Sequence, residues 1–270
     1  MNTQNPPLAY VIAGSEATGG AGIQADLKTF QQLGVYGVGT LTCIVSFDPK
    51  NGWGHRFVPV DAQVIADQFE AATATHALDV VKVGMLGTPA TIDTVAAALA
   101  SKPWRHVVLD PVLICKGQEP GAALDTDTAL RDKVLPLATV VTPNHFEAMT
   151  LAGMDAIESV DDLVEAAQRI HKQGPQYVVA KGGVELPGPD AVDVLFDGKE
   201  VTTFSVPKVG EERVSGAGCT FAAAITAELA KGAEVNDAVQ VAKDIVTQGI
   251  QARVAASTPF DTVWQGAYTA

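Results

Sequence analysis

Cysteine is scarce in this chain: three residues, at 43, 115 and 219, stand far apart. They make neither a zinc-ligand cluster nor a disulfide framework, and free thiols so spaced fit a reducing, cytoplasmic setting. The five histidines show no metal-ligand spacing either. Aromatic residues are only 6% of the chain, too few for a typical β-sandwich core, whereas Gly, Ala and Val are plentiful and point to helices packed closely on a sheet. Basic residues are also short: 18 Lys and Arg against 31 Asp and Glu, a net charge of −13. With no basic stripe, nucleic acid is argued against as a partner. An anionic ligand must therefore find positive charge locally, at helix ends, a lysine or a metal. No run of 18 apolar residues spans a membrane, and Met1–Pro7 lacks the basic start of a signal peptide. Walker A, a Ser/His/Asp hydrolase order, internal repeats and long linkers are all missing. The 270 residues read as one domain, 1–270, with 1–7 a flexible tail.

What is present is an alternation. Leu8–Gly14 reads as a buried strand, and a small-residue loop, Ser15–Gly22, leads to a helix over Ile23–Leu33. Strand candidates recur at Gly37–Phe47, Val80–Gly84, His106–Pro111, Thr139–Thr142 and Tyr177–Lys181. Between them, Asp61 caps a helix through Ala77 and Thr88-Pro89 opens one through Leu99. Further helices are expected over Thr126–Val134 and Val160–Gln173, after a polar loop at Lys116–Gly121. Asp48–Val60 is an irregular or hairpin excursion, and Asp197-Gly198 marks a hairpin between Val192–Phe196 and Val201–Val206. A last helix is predicted from Asn236 to Ala256. This order predicts an α/β protein, a mostly parallel sheet with helices on both faces, in which ligands bind beyond the C-terminal strand ends. Polar residues collect at those ends: Glu16, Lys82, Asp110, Asn144, Glu147 and Lys181.

The chain is organised around Val214–Phe221, where Gly216-Ala217-Gly218 precede Cys219-Thr220 and an alanine-rich helix. A glycine turn at a helix N-terminus offers unpaired N–H groups and the positive dipole end, a site for a phosphate or a developing oxyanion. Cys219 falls in the first turn, where a thiolate is favoured. The plainer reading is a tight turn before a buried helix. Gly20-Ala-Gly22-Ile-Gln-Ala25 also matches a loose GxGxxA fingerprint, but no acid follows at the dinucleotide spacing. Close packing of strand on helix explains that loop equally well. Taken as one site, the loop amides, Lys181 and the hard oxygens of Asp110 and Glu147, suited to Mg²⁺, fit phosphoryl transfer. Cys219 then sits where an acceptor hydroxyl meets the γ-phosphate.

Six segments carry a resemblance: Ala13–Phe30, Lys82–Gly87, Leu109–Gly117, Val141–Glu147, Ala180–Gly183 and Gly216–Thr220. Across nearly its whole length the sequence resembles the pyridoxine/pyridoxal kinase and hydroxymethylpyrimidine (phosphate) kinase branch of the ribokinase-like superfamily. The resemblance implies a three-layer α/β/α kinase domain with a small lid or hairpin extension. It makes Gly216–Cys219 the anion hole, with Ala217 inside it, and Cys219 the base. It places Asn144, Lys181, Gly183, Gly216 and Gly218 at the nucleotide, and Asp110 and Glu147 at Mg²⁺. It assigns Gly14, Glu16, Gly20, Ser46, Lys82, Gly84 and Cys115 to the substrate pocket. ATP is the implied co-substrate, a vitamin B6 vitamer the partner molecule and a homodimer the assembly; monovalent-cation dependence stays open. Cys115, in the lid segment, resembles a two-cysteine subgroup whose lid thiol adds to the pyridoxal aldehyde as a hemithioacetal. The implied reaction is phosphorylation of the 5′-hydroxymethyl group of pyridoxal, pyridoxine and pyridoxamine. The alternatives are hydroxymethylpyrimidine or its phosphate as substrate, or a silent nucleotide or vitamin sensor. Glu16 stands where relatives usually carry Asp, and Ser215 where they carry His or Thr.

Overall fold

The computed structural model describes residues 5–113 and 120–270. Nine strands form a single sheet in the order β3-β2-β1-β4-β5-β6-β7-β8-β9. The strands are β1 (Leu8–Glu16), β2 (Tyr36–Asp48), β3 (Gly54–Pro59), β4 (Val80–Val83), β5 (His106–Leu109), β6 (Val140–Val141), β7 (Tyr177–Lys181), β8 (Asp190–Phe196) and β9 (Val201–Pro207). The six strands from β2 to β7 run parallel, and antiparallel pairings, β2 with β3 and β7 with β8 with β9, close both ends. Both predicted hairpins therefore widen the sheet. The chain leaves β1 for β2 on one side and returns to β4 on the other. Such a reversal marks where open α/β sheets bind ligands, beyond the C-terminal strand ends.

The helices are α1 (Gly22–Gln32), α2 (Ala62–Thr75), α3 (Pro89–Ala100), α4 (Pro120–Lys133), α5 (His145–Ala152), α6 (Val160–His171), α7 (Ala217–Lys231) and α8 (Val235–Gln251). They divide by face. Along β1, Tyr10 and Ile12 join a core with residues of α2 to α6, while Ala9, Val11 and Ala13 join the opposite core with α1, α7 and α8. The period-two alternation of one buried strand thus feeds two hydrophobic layers. Asp61 and Thr88 cap α2 and α3, each accepting a backbone N–H as expected.

The structure departs from the sequence expectation at three boundaries. The helix α4 begins at Pro120, inside the stretch read as polar loop; proline suits a first helical position, where its missing N–H is no loss. The last helix ends at Gln251, not Ala256, because Val254 turns back to pair with Thr262 through hydrogen bonds of 2.8 and 3.0 Å. At the start, residues 5–7 are not a loose tail throughout: the Pro7 carbonyl accepts the Tyr36 N–H at 2.9 Å. Cys115 and most of the expected lid loop lie outside the described residues. Among those described, no helix is long and apolar enough to cross a membrane.

Candidate active site

The glycine turn forms as expected. Gly216 caps α7 with φ +82°, so Ala217, Gly218 and Cys219 occupy its first three positions and their amides have no helical partner. Only glycine fits at 216: an added Cβ would stand 1.8 Å from the Gly20 carbonyl oxygen. That contact joins the two glycine loops, although nearly 200 positions separate them in sequence. A third segment completes the joint. Ser215 donates its N–H to the Asp261 carbonyl at 2.9 Å and accepts from Val263 at 3.1 Å, while Thr262 packs against Gly20.

A cleft of roughly 600 Å³ opens before this turn, lined by Gly216–Cys219, Asp110, Asn144, Glu147, Lys181 and Gly183, with Val206, Pro207, Val246 and Ile250 forming an apolar wall. Thus the strand-end acids, the lysine and the amide turn, predicted as one site, do converge. Asp110 and Lys181 lie 3.8 Å apart, both largely buried. Asn144 and Glu147 form a capping box at the start of α5: the Asn144 side chain accepts the Glu147 N–H at 3.0 Å, and the Glu147 carboxylate accepts the Asn144 N–H at 2.8 Å. Burial, reinforced by the Asp110 carboxylate, pushes the Glu147 carboxyl up to about 8, against the pull of Lys181. Two carboxylates crowded so closely with one lysine make a place for further positive charge. Among the described residues no group of three or more His, Cys, Asp or Glu surrounds a metal position. Such a site suits Mg²⁺, which keeps several waters and takes its remaining ligands from phosphates.

Cys219, half-buried, lines the cleft. Against the helix N-terminus, which favours its thiolate, desolvation by the surrounding protein pushes the thiol up, and the nearby carboxylates of Asp110 and Asp26 add to the rise. Lys82 and the Gly22 amide act the other way without overcoming it.

Of the remaining predicted residues, Gly14, Glu16, Gly20, Ser46, Lys82 and Gly84 are not among those that line this cleft. The Glu16 carboxylate, buried, accepts from the Thr18 N–H at 2.7 Å, the Thr18 hydroxyl at 2.6 Å and the Gly20 N–H at 3.2 Å, and so shapes the early loop. Gly14 leaves room for the Cys43 sulfur, which would lie 2.5 Å from an added Cβ. Ser46 is half-buried in β2 opposite Arg56 of β3. Gly84 follows β4, and Lys82, within that strand, is fully buried against Asp26 at 3.0 Å. Sequence reasoning passed over Asp26, although its place four residues after Gly22 on an apolar helix face was a usable signal. It also passed over the Arg213–Glu185 ion pair at the cleft rim and the Lys243–Asp193 pair beneath it at 2.7 Å. Nothing in local spacing joins those residues.

A mostly parallel sheet covered by helices on both faces, with an amide turn, a lysine and two buried acids gathered beyond the ends of β5 to β7, defines a three-layer α/β/α protein with a phosphate-type anion site. The family model described as phosphomethylpyrimidine kinase matches residues 16–263. The chain is 48% identical over 243 residues to a pyridoxine kinase of Bacillus subtilis, covering 90% of each chain. It is 41% identical over 251 residues to a hydroxymethylpyrimidine/phosphomethylpyrimidine kinase of Haemophilus influenzae, covering 91% of each. Among solved structures, it resembles an ADP complex of B. subtilis pyridoxal kinase, with a TM-score of 0.93, 44% identity and coverage of 97% of this chain and 98% of that one. A Staphylococcus aureus pyridoxal kinase in complex with AMP-PCP and pyridoxal gives 0.91 and 37%, covering 98% and 95%. The chain belongs to the ribokinase-like superfamily, in its pyridoxal/pyridoxine kinase branch beside the phosphomethylpyrimidine kinases.

Proposed function

We propose that this chain is an ATP-dependent kinase of vitamin B6 salvage, phosphorylating the 5′-hydroxymethyl group of pyridoxal and also accepting pyridoxine and pyridoxamine. The observation that carries the reading is the cleft itself, where the Gly216–Gly218 turn, Lys181 and Asp110 face one another in a family of vitamin kinases. The adenosine end of ATP has the apolar wall of Val206, Pro207, Val246 and Ile250 to rest on. Its phosphates reach the amides of α7, whose dipole and unpaired N–H groups stabilise the charge on the moving phosphoryl oxygens. Lys181 adds a fixed cation there. Asp110 and Glu147 are the residues that would hold Mg²⁺, and when bound it neutralises phosphate charge.

The family resemblance makes Cys219 the group that meets the acceptor hydroxyl. The positive charge gathered around the phosphates favours its thiolate form. Lid closure over the pocket excludes water and limits wasteful ATP hydrolysis. The homodimer and the reaction of Cys115 with the pyridoxal aldehyde belong to this proposal and rest on the family resemblance.

One observation favours a second reading: the matching family model and the H. influenzae relative are phosphomethylpyrimidine kinases. Hydroxymethylpyrimidine or its phosphate is then a second substrate. Steady-state kinetics with pyridoxal, pyridoxine and hydroxymethylpyrimidine, following ADP release, decide between them. The expected order of kcat/KM puts pyridoxal above hydroxymethylpyrimidine; the reverse order overturns the B6 assignment. Absence of ADP release with every added alcohol makes the chain a sensor instead.

A further inference from the structure

Glu16 closes β1 with a buried side chain that does not line the cleft. Its carboxylate oxygens are committed inside the early loop. Oε1 accepts the Thr18 N–H at 2.7 Å, and Oε2 accepts both the Thr18 hydroxyl at 2.6 Å and the Gly20 N–H at 3.2 Å. An ionised carboxylate has about four acceptor positions, so most of its capacity is filled here. Bonds to a charged acceptor are the stronger kind, and a buried carboxylate depends on them. The outer part of the loop has other ties: Ala17 donates to the Val45 carbonyl at 3.0 Å, and Lys28 to the Gly19 carbonyl at 2.7 Å. At the inner end, among the described residues, it is the Glu16 carboxylate that receives the Gly20 N–H.

Gly20 is where the early loop meets the anion turn. Its carbonyl oxygen lies so close to Gly216 that a Cβ on Gly216 would stand 1.8 Å from it. A Cβ on Gly20 itself would stand 2.4 Å from the Thr262 methyl carbon and 3.5 Å from the Ser215 hydroxyl. Gly20 is thus wedged among Gly216, Ser215 and Thr262. Close-packed interiors transmit displacement, so a shift of Gly20 is passed to Gly216 and to the first amides of α7. Measured contacts therefore run without a gap from the Glu16 carboxylate through Gly20 to the residue that opens the turn.

We propose that Glu16 is a positioning residue for phosphoryl transfer: through Gly20, its carboxylate sets the place of the Gly216–Gly218 amides, instead of gripping the vitamer ring as the family resemblance implies. This role deepens the kinase reading and rests on it for the chemistry, whereas the mechanical link from loop to turn does not. It has its own kinetic signature. The amide turn serves every phosphoryl acceptor, so loss of Glu16 lowers kcat alike for pyridine alcohols, for hydroxymethylpyrimidine and for water. Loss of a ring contact instead raises KM, and unequally for pyridine and pyrimidine rings.

The test compares the full-length parent with E16M, which keeps the length of the side chain but has no oxygen to accept the three bonds, and with E16Q, which keeps one. Amide hydrogen exchange is read residue by residue, beside steady-state kinetics. In E16M, exchange is expected to quicken roughly tenfold at Gly20, the lower end for loss of a bond to a charged group. It is expected to quicken also at Ser215 and Thr220, whose N–H groups are held by the Asp261 and Gly216 carbonyls. The expected fall in kcat is on the order of tenfold, part of the 10²-fold that a displacement of about 1 Å costs. It is shared by pyridoxal, pyridoxine and ADP release without alcohol, with KM for each alcohol nearly unchanged, and E16Q lies between E16M and the parent. Should E16M not fold, T18V, at an exposed position, loosens the same carboxylate and is expected to give the same pattern at smaller size. An independent pair presses the same joint. Gly20 lies outside the left-handed region, and the nearest obstacle to G20A is the Thr262 methyl, which T262S removes. G20A is expected to lose kcat for every acceptor, and G20A/T262S to regain most of that loss relative to T262S. Faster exchange at Gly20 with Ser215 and Thr220 unmoved overturns the proposal, since the loop then loosens without the turn. So does a raised KM for the vitamers with ADP release in the absence of alcohol unchanged, which marks a ring contact. If the parent releases no ADP with any alcohol while the exchange pattern holds, the kinase reading falls and the link from Glu16 to the turn stands.

Discussion

Replacing Gly218 by alanine separates stability from catalysis at one atom. An added Cβ would lie 3.5 Å from the Lys181 ammonium and 3.8 and 4.0 Å from the Asp110 carboxylate oxygens, all ordinary contacts. The fold therefore accommodates it. Gly218 is the second residue of α7, and its backbone is not in the left-handed region. Alanine there recovers about 0.5–1 kcal/mol of helix propensity. In a domain of this size that is a rise of about 2 °C in Tm. The methyl group nevertheless projects into the space between the amide turn, Lys181 and Asp110, where a transferring phosphoryl group must fit. Displacing a reacting group by about 1 Å costs on the order of 10²-fold in rate. Loss of one oxyanion donor costs about 10²–10³-fold, near 3 kcal/mol. Gly218→Ala is thus expected to melt no lower than the parent while kcat/KM for pyridoxal falls at least 10²-fold, measured by ADP-coupled kinetics beside calorimetry. Activity within about threefold of the parent in this stable protein would refute the placement of the phosphoryl group. Gly216→Ala is the contrasting case. With φ +82° and the Gly20 oxygen 1.8 Å from the new Cβ, it loses stability and activity together.

Cys219→Ala is expected to lower kcat by about 10²–10⁴-fold, the usual weight of a general base, while ADP affinity by calorimetry stays close to the parent's; undiminished kcat removes the proton role. Glu147 titrates near 8 when folded against an ordinary 4.5, so the folded state keeps a proton that the unfolded chain gives up. That contribution is whole below pH 4.5 and is lost as pH rises through about 8. Glu147→Gln, which preserves the capping box, should show a shallower fall of Tm across that window; identical slopes would mean that Glu147 is ionised throughout. Cys115→Ala is expected to impair turnover of pyridoxal more than that of pyridoxine, and equal losses would dispose of the hemithioacetal.

The layered fold was legible because strong periodicities produced it: LAYVI alternates between two cores, and Asp61 and Thr88 announce their helices. The anion turn was legible for the same local reason, since Gly216 and the alanine-rich run of α7 are contiguous. Side chains that meet only through the sheet were less so. Lys82 looked like a strand-end residue facing ligand, yet β4 is buried on both faces and its lysine turns to Asp26. The helix N-terminus beside Cys219 is visible in sequence, whereas the desolvation and the Asp110 and Asp26 carboxylates that oppose its thiolate form only in the fold. Helix α8 was drawn too long because the pairing that ends it, Val254 with Thr262, forms in three dimensions.

The bracing of Ser215 and Gly20 by Asp261–Val263 separates architecture from competence in time. All nine strands precede residue 208, so a ribosome can release a completed sheet while the strap across the two glycine loops is still unmade. A chain cut after residue 253 keeps all nine strands and α1 to α8 but lacks that strap, and is left with a scaffold whose anion turn has lost its brace against the partner loop.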